Sequence, residues 1–207
     1  DNTKIFSGYK INFGVFFEAV ADRRFNKTEV KIDVIDCIRN FFTIDKMQFG
    51  QAINLNELRS QTGCVPQDVF LFSDSVKNNI SFGTFINTGN SRMEDIEWAA
   101  KQAVVHENIQ EFNEGYETVV GERGVTLSGG QKQRVSIARA LLKNPQILLF
   151  DDCLSAVDTE TEEKILTNLN HIMKNKTTII VSHRISSIQH ADHIIMIENG
   201  KIIEEGN

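Results

Sequence analysis

Proline is scarce in this 207-residue chain. Only Pro66 and Pro145 occur, so no Pro-rich linker divides it. Cysteine is scarce too. Cys37, Cys64 and Cys153 stand far apart and are odd in number, which gives neither a disulfide framework nor a metal-binding spacing. A reducing compartment is the expectation that follows. No run of about 18 apolar residues occurs, so nothing here reads as a bilayer span. Basic charge is not in excess. With 22 Lys+Arg against 28 Asp+Glu, the net charge of −6 leaves no electrostatic footprint for nucleic acid. There is no internal repeat and no low-complexity tract. The chain opens at Asp1 without a signal-peptide pattern and stops at Glu205-Gly206-Asn207, so it is expected to be a piece of a longer polypeptide.

What is present suits a packed core. The composition is 41% hydrophobic with 14 Phe, which disfavours disorder. The length corresponds to one or two domains at about 150 residues each. Phe13, Val15, Phe16 and Phe17 suggest a strand, and the apolar residues from Val30 to Phe42 suggest a helix. Ser91-Arg92-Met93-Glu94 has the pattern of a capping box and predicts a helix over 93–112. Ser128-Gly129-Gly130 opens a predicted helix over 131–142. Ile147-Leu148-Leu149-Phe150 fits a central parallel strand covered on both faces. Thr159-Glu160-Thr161-Glu162 reads as a second capping box, followed by Ile165, Leu166, Leu169, Ile172 and Met173 at helical spacing. Thr177–Ser182 is the next buried strand, and Asn199-Gly200 predicts a hairpin between 193–198 and 201–204. Strands alternating with helices imply an α/β sheet, with a helical insertion over about 68–142.

Four places carry candidate chemistry. Leu127-Ser128-Gly129-Gly130-Gln131 stands at a helix start, where free backbone N–H groups and the helix dipole favour an anion and glycine permits close approach. The same residues also make an ordinary loop-to-helix turn. Ile147–Phe150 runs into Asp151-Asp152. A carboxylate at a buried strand end can reach a Mg²⁺, and a second can orient water, although helix-entry acids have the same look. His183 follows the strand TTIIVS directly, at a position where ligand residues collect in such sheets, although a lone His there also reads as a structural residue. Gln67, after Pro66, can bind a metal water or a phosphate oxygen. Asp158, in Ser155-Ala156-Val157-Asp158, is by itself part of a turn.

Taken together, Gln67, LSGGQ (127–131), ILLFDD (147–152), SAVD (155–158) and His183 resemble the ordered motif set of ABC-transporter ATPase domains. There they are the Q-loop, signature, Walker B, D-loop and switch histidine. The resemblance covers about residues 53–206. VPQDVFLFSDSVKNNISFG (65–83), GYETVVGERG (115–124) and HADHIIMIENGKIIEEG (190–206) resemble the exporter branch, in which the GERG segment lies near the coupling helices of the membrane domain.

The resemblance implies an α/β, P-loop NTPase-like ABC ATPase core with a mostly parallel sheet and an inserted helical subdomain. Residues 1–67 and 143–207 would form the core, with an atypical N-terminal part of about 50 residues, and 68–142 the helical subdomain. It implies ATP and Mg²⁺ as ligands, and a second ABC ATPase domain, in a homodimer or a heterodimer, as partner. The transmembrane domain of an exporter would be a further partner, at the cytoplasmic face of the membrane, with no nucleic acid. Asp151 would hold Mg²⁺ through water, Gln67 would sense metal and γ-phosphate, and His183 would steady the γ-phosphate. Asp152 would position the attacking water. Ser128, Gly129, Gly130 and Gln131 would act in trans on a partner's ATP, and Asp158 would help join the two halves.

Two departures stand out. No G-x-x-x-x-G-K-[ST] string occurs. Ala21-Asp22-Arg23-Arg24-Phe25-Asn26-Lys27-Thr28 falls where the family places that loop, so Lys27 and Thr28 would be its remnant, with Thr28 toward the metal. They also read as an ordinary surface pair. Non-glycine residues at the loop's positive-φ positions cost roughly 1–2 kcal/mol each. The second departure is Asp152, where most active members have Glu. Its carboxylate sits about 1 Å further back, a misplacement that can cost about 10²-fold in rate. Asp-Asp beside an intact LSGGQ resembles the weak-site subunit of heterodimeric bacterial exporters. The function implied is ATP-driven export. The alternatives are an impaired half that completes a partner's site and a soluble non-transport ABC ATPase.

Overall fold

The computed structural model describes residues 12–17, 59–84, 91–121, 124–198 and 201–206. Short strands, most of them apolar, build one sheet. Asn12–Phe17 (β1), Thr62–Val65 (β2), Ile147–Asp151 (β3), Thr177–Ser182 (β4), His193–Glu198 (β5) and Lys201–Gly206 (β6) pair in the order β2-β3-β4-β1-β5-β6. The neighbours from β2 across to β5 run parallel, and β6 pairs antiparallel at the edge. β3 lies between β2 and β4, with Ile147, Leu148 and Phe150 buried, as its unbroken apolar run predicts. The strand expected around Phe13–Phe17 is β1. The helix expected over 30–42 lies outside the described residues.

Between β2 and β3 the described residues form short helices joined by loops. Val76–Ser81 (α1), Met93–Gln102 (α2), His106–Gln110 (α3) and Gly129–Leu142 (α4) follow one another, with short 3-10 turns at Phe82–Thr84 and Gly115–Glu117. α4 packs on β2, α1 and α2, so the insertion shares its core with the sheet. Thr159–Met173 (α5) crosses from β3 to β4, burying Ile165, Leu166, Leu169 and Met173. The single turn Ile185–Ile188 (α6) follows β4. Among the described residues no helix is long and apolar enough to cross a membrane.

Two predicted caps are corrected. α2 has Arg92 at its N-cap without a side-chain cap bond, and the Ser91 hydroxyl pairs with Thr84 Oγ1 at 2.6 Å instead. The helix predicted over 93–112 is also two helices. Val104 adopts φ 54° between them, an uncommon conformation for a β-branched residue. Its carbonyl accepts a hydrogen bond from Arg134, and Asn168 Nδ2 donates to the Gln102 carbonyl at 3.1 Å. Neighbouring helices therefore hold the break. At α5 the cap is Asp158, whose Oδ1 accepts from the Thr161 amide at 3.0 Å, and Thr159 is the first helical residue.

Candidate functional site

Parallel strands deliver their C-terminal ends to one edge of the sheet. β2 ends at Val65, level with Phe150, and leads into Pro66-Gln67. β3 ends at Asp151, level with Val181 of β4, and His183 follows one residue beyond the end of β4. β1 is in step with β4, Phe16 opposite Ser182. The fold thus gathers the strand ends carrying Gln67, Asp151, Asp152 and His183.

Gln67 and Asp152 are in contact. Gln67 Nε2 donates to Asp152 Oδ2 at 3.4 Å, across 85 positions of sequence. Asp152 has a left-handed backbone, φ 45°, which Asp and Asn tolerate better than most residues. Its amide donates to the Val181 carbonyl at 2.8 Å. Its carbonyl accepts from the Ser155 hydroxyl at 2.9 Å. Both main-chain groups are therefore tied, one to β4 and one to the loop over 155–158. Two thiols flank the carboxylates. Although Cys64 is exposed, the protein packed around its thiol and then the charge of Asp151 push that thiol up. Burial, followed by the charges of Asp152 and Asp151, pushes the buried Cys153 thiol up further. Neither is a ready nucleophile.

The remaining candidate residues stand at the start of α4. Ser128 is exposed and caps the helix. Its Oγ accepts from the Gln131 amide at 3.2 Å, while Gln131 Oε1 accepts from the Ser128 amide at 2.9 Å. Gly129 and Gly130 carry first-turn amides, which have no intrahelical partner. Gly130 is required for a reason the sequence did not reveal. A Cβ there would lie 2.8 Å from the Ala156 carbonyl oxygen, whereas one at Gly129 would make ordinary contact with the Ala156 methyl at 3.4 Å. Gln133, buried in α4, fastens the same loop. Its Nε2 donates to Ser155 Oγ at 3.2 Å and its Oε1 accepts from the Ala156 amide at 3.0 Å.

Asp158 is exposed. The Thr161 backbone amide, then its side chain, hold the carboxyl below the usual carboxylate range. Arg184 binds the same loop through its carbonyls. Its Nη2 donates to the Ser155 carbonyl at 3.0 Å and its Nη1 to the Val157 carbonyl at 3.3 Å and to Glu162. Sequence reasoning missed Gln133, Arg184 and Glu162. Reading Thr159–Glu162 as a capping box gave Glu162 another task. The signal that could have found the pair is an Arg beside His183 and an acid in the helix that SAVD enters. Lys27 and Thr28 lie outside the described residues.

The family profile described as ABC transporter matches residues 37–155, beginning downstream of Lys27 and Thr28. The chain belongs to the ABC transporter family. It is 51% identical over 153 residues to the ABC transporter ATP-binding protein YknU of Bacillus subtilis, covering 74% of this chain and 26% of that protein. It is 44% identical over 169 residues to an ATP-dependent lipid A-core flippase of Legionella pneumophila, covering 82% of this chain and 28% of the flippase. Among solved structures, a bacterial Atm1-family ABC exporter with ATP bound superposes with a TM-score of 0.73 at 34% identity, over 95% of this chain and 33% of the exporter. The chain spans about a quarter of the length of these curated relatives.

Proposed function

We propose that this chain is the ATP-binding and ATP-hydrolysing part of an ABC exporter. The observation that carries the reading is the Gln67–Asp152 contact at the sheet edge, beside the strand ends that bring in Asp151 and His183. The donor set fits Mg²⁺. Two adjacent carboxylates and an amide oxygen are hard ligands of the kind that ion combines with phosphate and water. Asp151 and Gln67 would hold it, and Thr28 would join them. When bound, it would offset charge on the β- and γ-phosphates. The fit to ATP rests on the start of α4, where Ser128 and Gly129 are exposed and the amides and dipole suit a phosphate.

The chain's own residues would then act by positioning. Asp152 orients the attacking water and accepts its proton. His183 steadies the γ-phosphate from the adjacent strand end. Ser128, Gly129, Gly130 and Gln131 serve the nucleotide of a second ABC ATPase domain, and Asp158 stands at the seam between the two. Lys27 and Thr28 would supply the phosphate contact on this chain's own side, since β1 ends at the same sheet edge shortly before them. ATP would shift the population toward the closed dimer, because only that state grips it from both sides.

A membrane partner is supported by the surface after Gln67. Phe70, Phe72 and Phe82 are exposed and pack together, with ring centroids 5.0 Å and 4.3 Å apart. Such an apolar cluster suits the transmembrane domain of an exporter at the cytoplasmic face of the membrane. Residues 68–142, which include the signature, would then act as the helical subdomain facing that partner.

A second reading is favoured by Asp152 and by the glycine-poor segment 21–28. This chain's own site would be slow, and its signature would complete the faster site of a heterodimeric companion. ATP-binding titration and turnover of the assembled transporter test both. Turnover that falls further on substitution of Ser128 than on Asp152→Asn supports the second reading. Equal losses, or the reverse order, favour the first, and absence of ATP binding by the assembly overturns both.

A further inference from the structure

We propose that Arg184 is a positioning residue that ties the histidine-bearing turn to the loop over 155–157, and so sets the stance of the surface offered to a second subunit. The kinetic part of this inference rests on the ATP-hydrolysis reading, whereas the structural part does not.

The geometry is specific to a guanidinium. One planar fork reaches three acceptors: the Ser155 carbonyl at 3.0 Å, the Val157 carbonyl at 3.3 Å and Glu162 Oε2. A lysine ammonium lacks the fork and cannot span the two carbonyls and the carboxylate together. Glu162 is only 2% exposed. Its other oxygen accepts from Ser186 Oγ at 3.0 Å and Ser187 Oγ at 2.6 Å, both on α6. The main chain of Arg184 is fixed as well, its amide donating to Ser182 Oγ at 3.0 Å. The residue next to His183 is therefore bound to β4 through its backbone and to the loop through its side chain.

The loop is held as well by Gln133, which takes the Ala156 amide and the Ser155 hydroxyl. Ser155 returns to the Asp152 carbonyl. The start of α4, the loop, Asp152 and the turn after β4 thus form one hydrogen-bonded unit. A displacement of the turn cannot leave the loop in place without breaking two carbonyl bonds and uncovering a buried carboxylate.

The alternative is that Arg184 merely neutralises Glu162. Arg184→Lys separates the two roles, because it keeps a cation near Glu162 and loses the bridging. Arg184→Ala leaves a buried charge and risks misfolding, so Arg184→Ala combined with Glu162→Gln serves as the second variant. In the assembled protein, amide exchange at Ala156 and Val157 should become at least about five- to tenfold faster in both variants, since one lost hydrogen bond already supplies that factor. The kcat for ATP should fall about 10²-fold, the usual consequence of a misplacement near 1 Å, with KM unchanged. Exchange that stays at the wild-type rate overturns the inference, and so does full recovery of kcat by Arg184→Lys. A wild-type assembly that binds ATP without turnover overturns the hydrolysis reading alone, and the exchange rates then decide the inference.

Discussion

Replacing Gly130 by alanine is the sharpest test of how the signature segment is built. An added Cβ would stand 2.8 Å from the Ala156 carbonyl oxygen, closer than real Cβ contacts come, and the obstructing atom is main chain that cannot rotate away. The same change at Gly129 places the methyl at 3.4 Å from the Ala156 side chain, an ordinary contact. Both substitutions gain roughly 1 kcal/mol of helix propensity. At Gly130 that gain meets an overpacking cost of about 1–3 kcal/mol. Gly129→Ala should therefore be neutral or stabilising, while Gly130→Ala should lose about 1 kcal/mol net. For a chain of this size that is a fall in Tm of about 2–4 °C. Thermal unfolding of the two variants side by side reads the difference. If Gly130 were glycine only to admit a ligand, both alanines would raise Tm alike, and that result would refute the packing argument.

Other outcomes follow from the same contacts. Asp158→Ala removes the N-cap of α5 and should destabilise by about 0.5–2 kcal/mol, read from the denaturant midpoint. Burial works to raise the Glu162 carboxyl, but hydrogen bonds from Ser187, Arg184 and Ser186 outweigh it and hold the group below the ordinary carboxylate range. Its stabilising effect is therefore fully present above the unfolded carboxylate range and lost as pH falls through the lowered folded value. Unfolding measured at successive pH values should show a shallower acid loss in Glu162→Gln, and identical slopes would contradict the assignment. Cys153 is buried with its thiol pushed up, so alkylation at neutral pH should wait for unfolding, and labelling of the native chain by mass spectrometry checks this.

Much of the sheet was legible because its central strands are short, wholly apolar and bounded by turn residues, as at Ile147–Asp151 and Thr177–Ser182. The helix starts were harder. Both Ser91 and Thr159 sit three residues ahead of an acid, yet the caps fall at Arg92 and Asp158, because the Ser91 hydroxyl has a better partner in Thr84 and Asp158 is already placed to receive the Thr161 amide. The break at Val104 was not legible at all. No Gly or Pro marks it, and bonds from Arg134 and Asn168, distant in sequence, hold the chain ends there.

The site divides in the same way. Asp151, Asp152 and His183 could be placed at strand ends because each follows a short apolar run, whereas the strand before Gln67 was not foreseen. The struts could not be read. Gln133 and Arg184 act on the carbonyls and amides of 155–157, main-chain partners that leave no complementary residue in the sequence, and only the Arg184–Glu162 pair left a side-chain signal there. Gly130 shows the other limit, since its neighbour is a carbonyl oxygen and its reason for being glycine is visible only in three dimensions.

The central claim is that the start of α4 serves nucleotide held by a neighbouring subunit. An ATP analogue with a thiol-reactive group on its γ-phosphate, trapped in an assembled transporter carrying Ser128→Cys, tests it directly, with the labelled peptide identified by mass spectrometry. The account predicts modification at residue 128 in the assembly and none in the isolated chain. Equal modification of the isolated chain, or no modification at 128 in the trapped assembly, would contradict it.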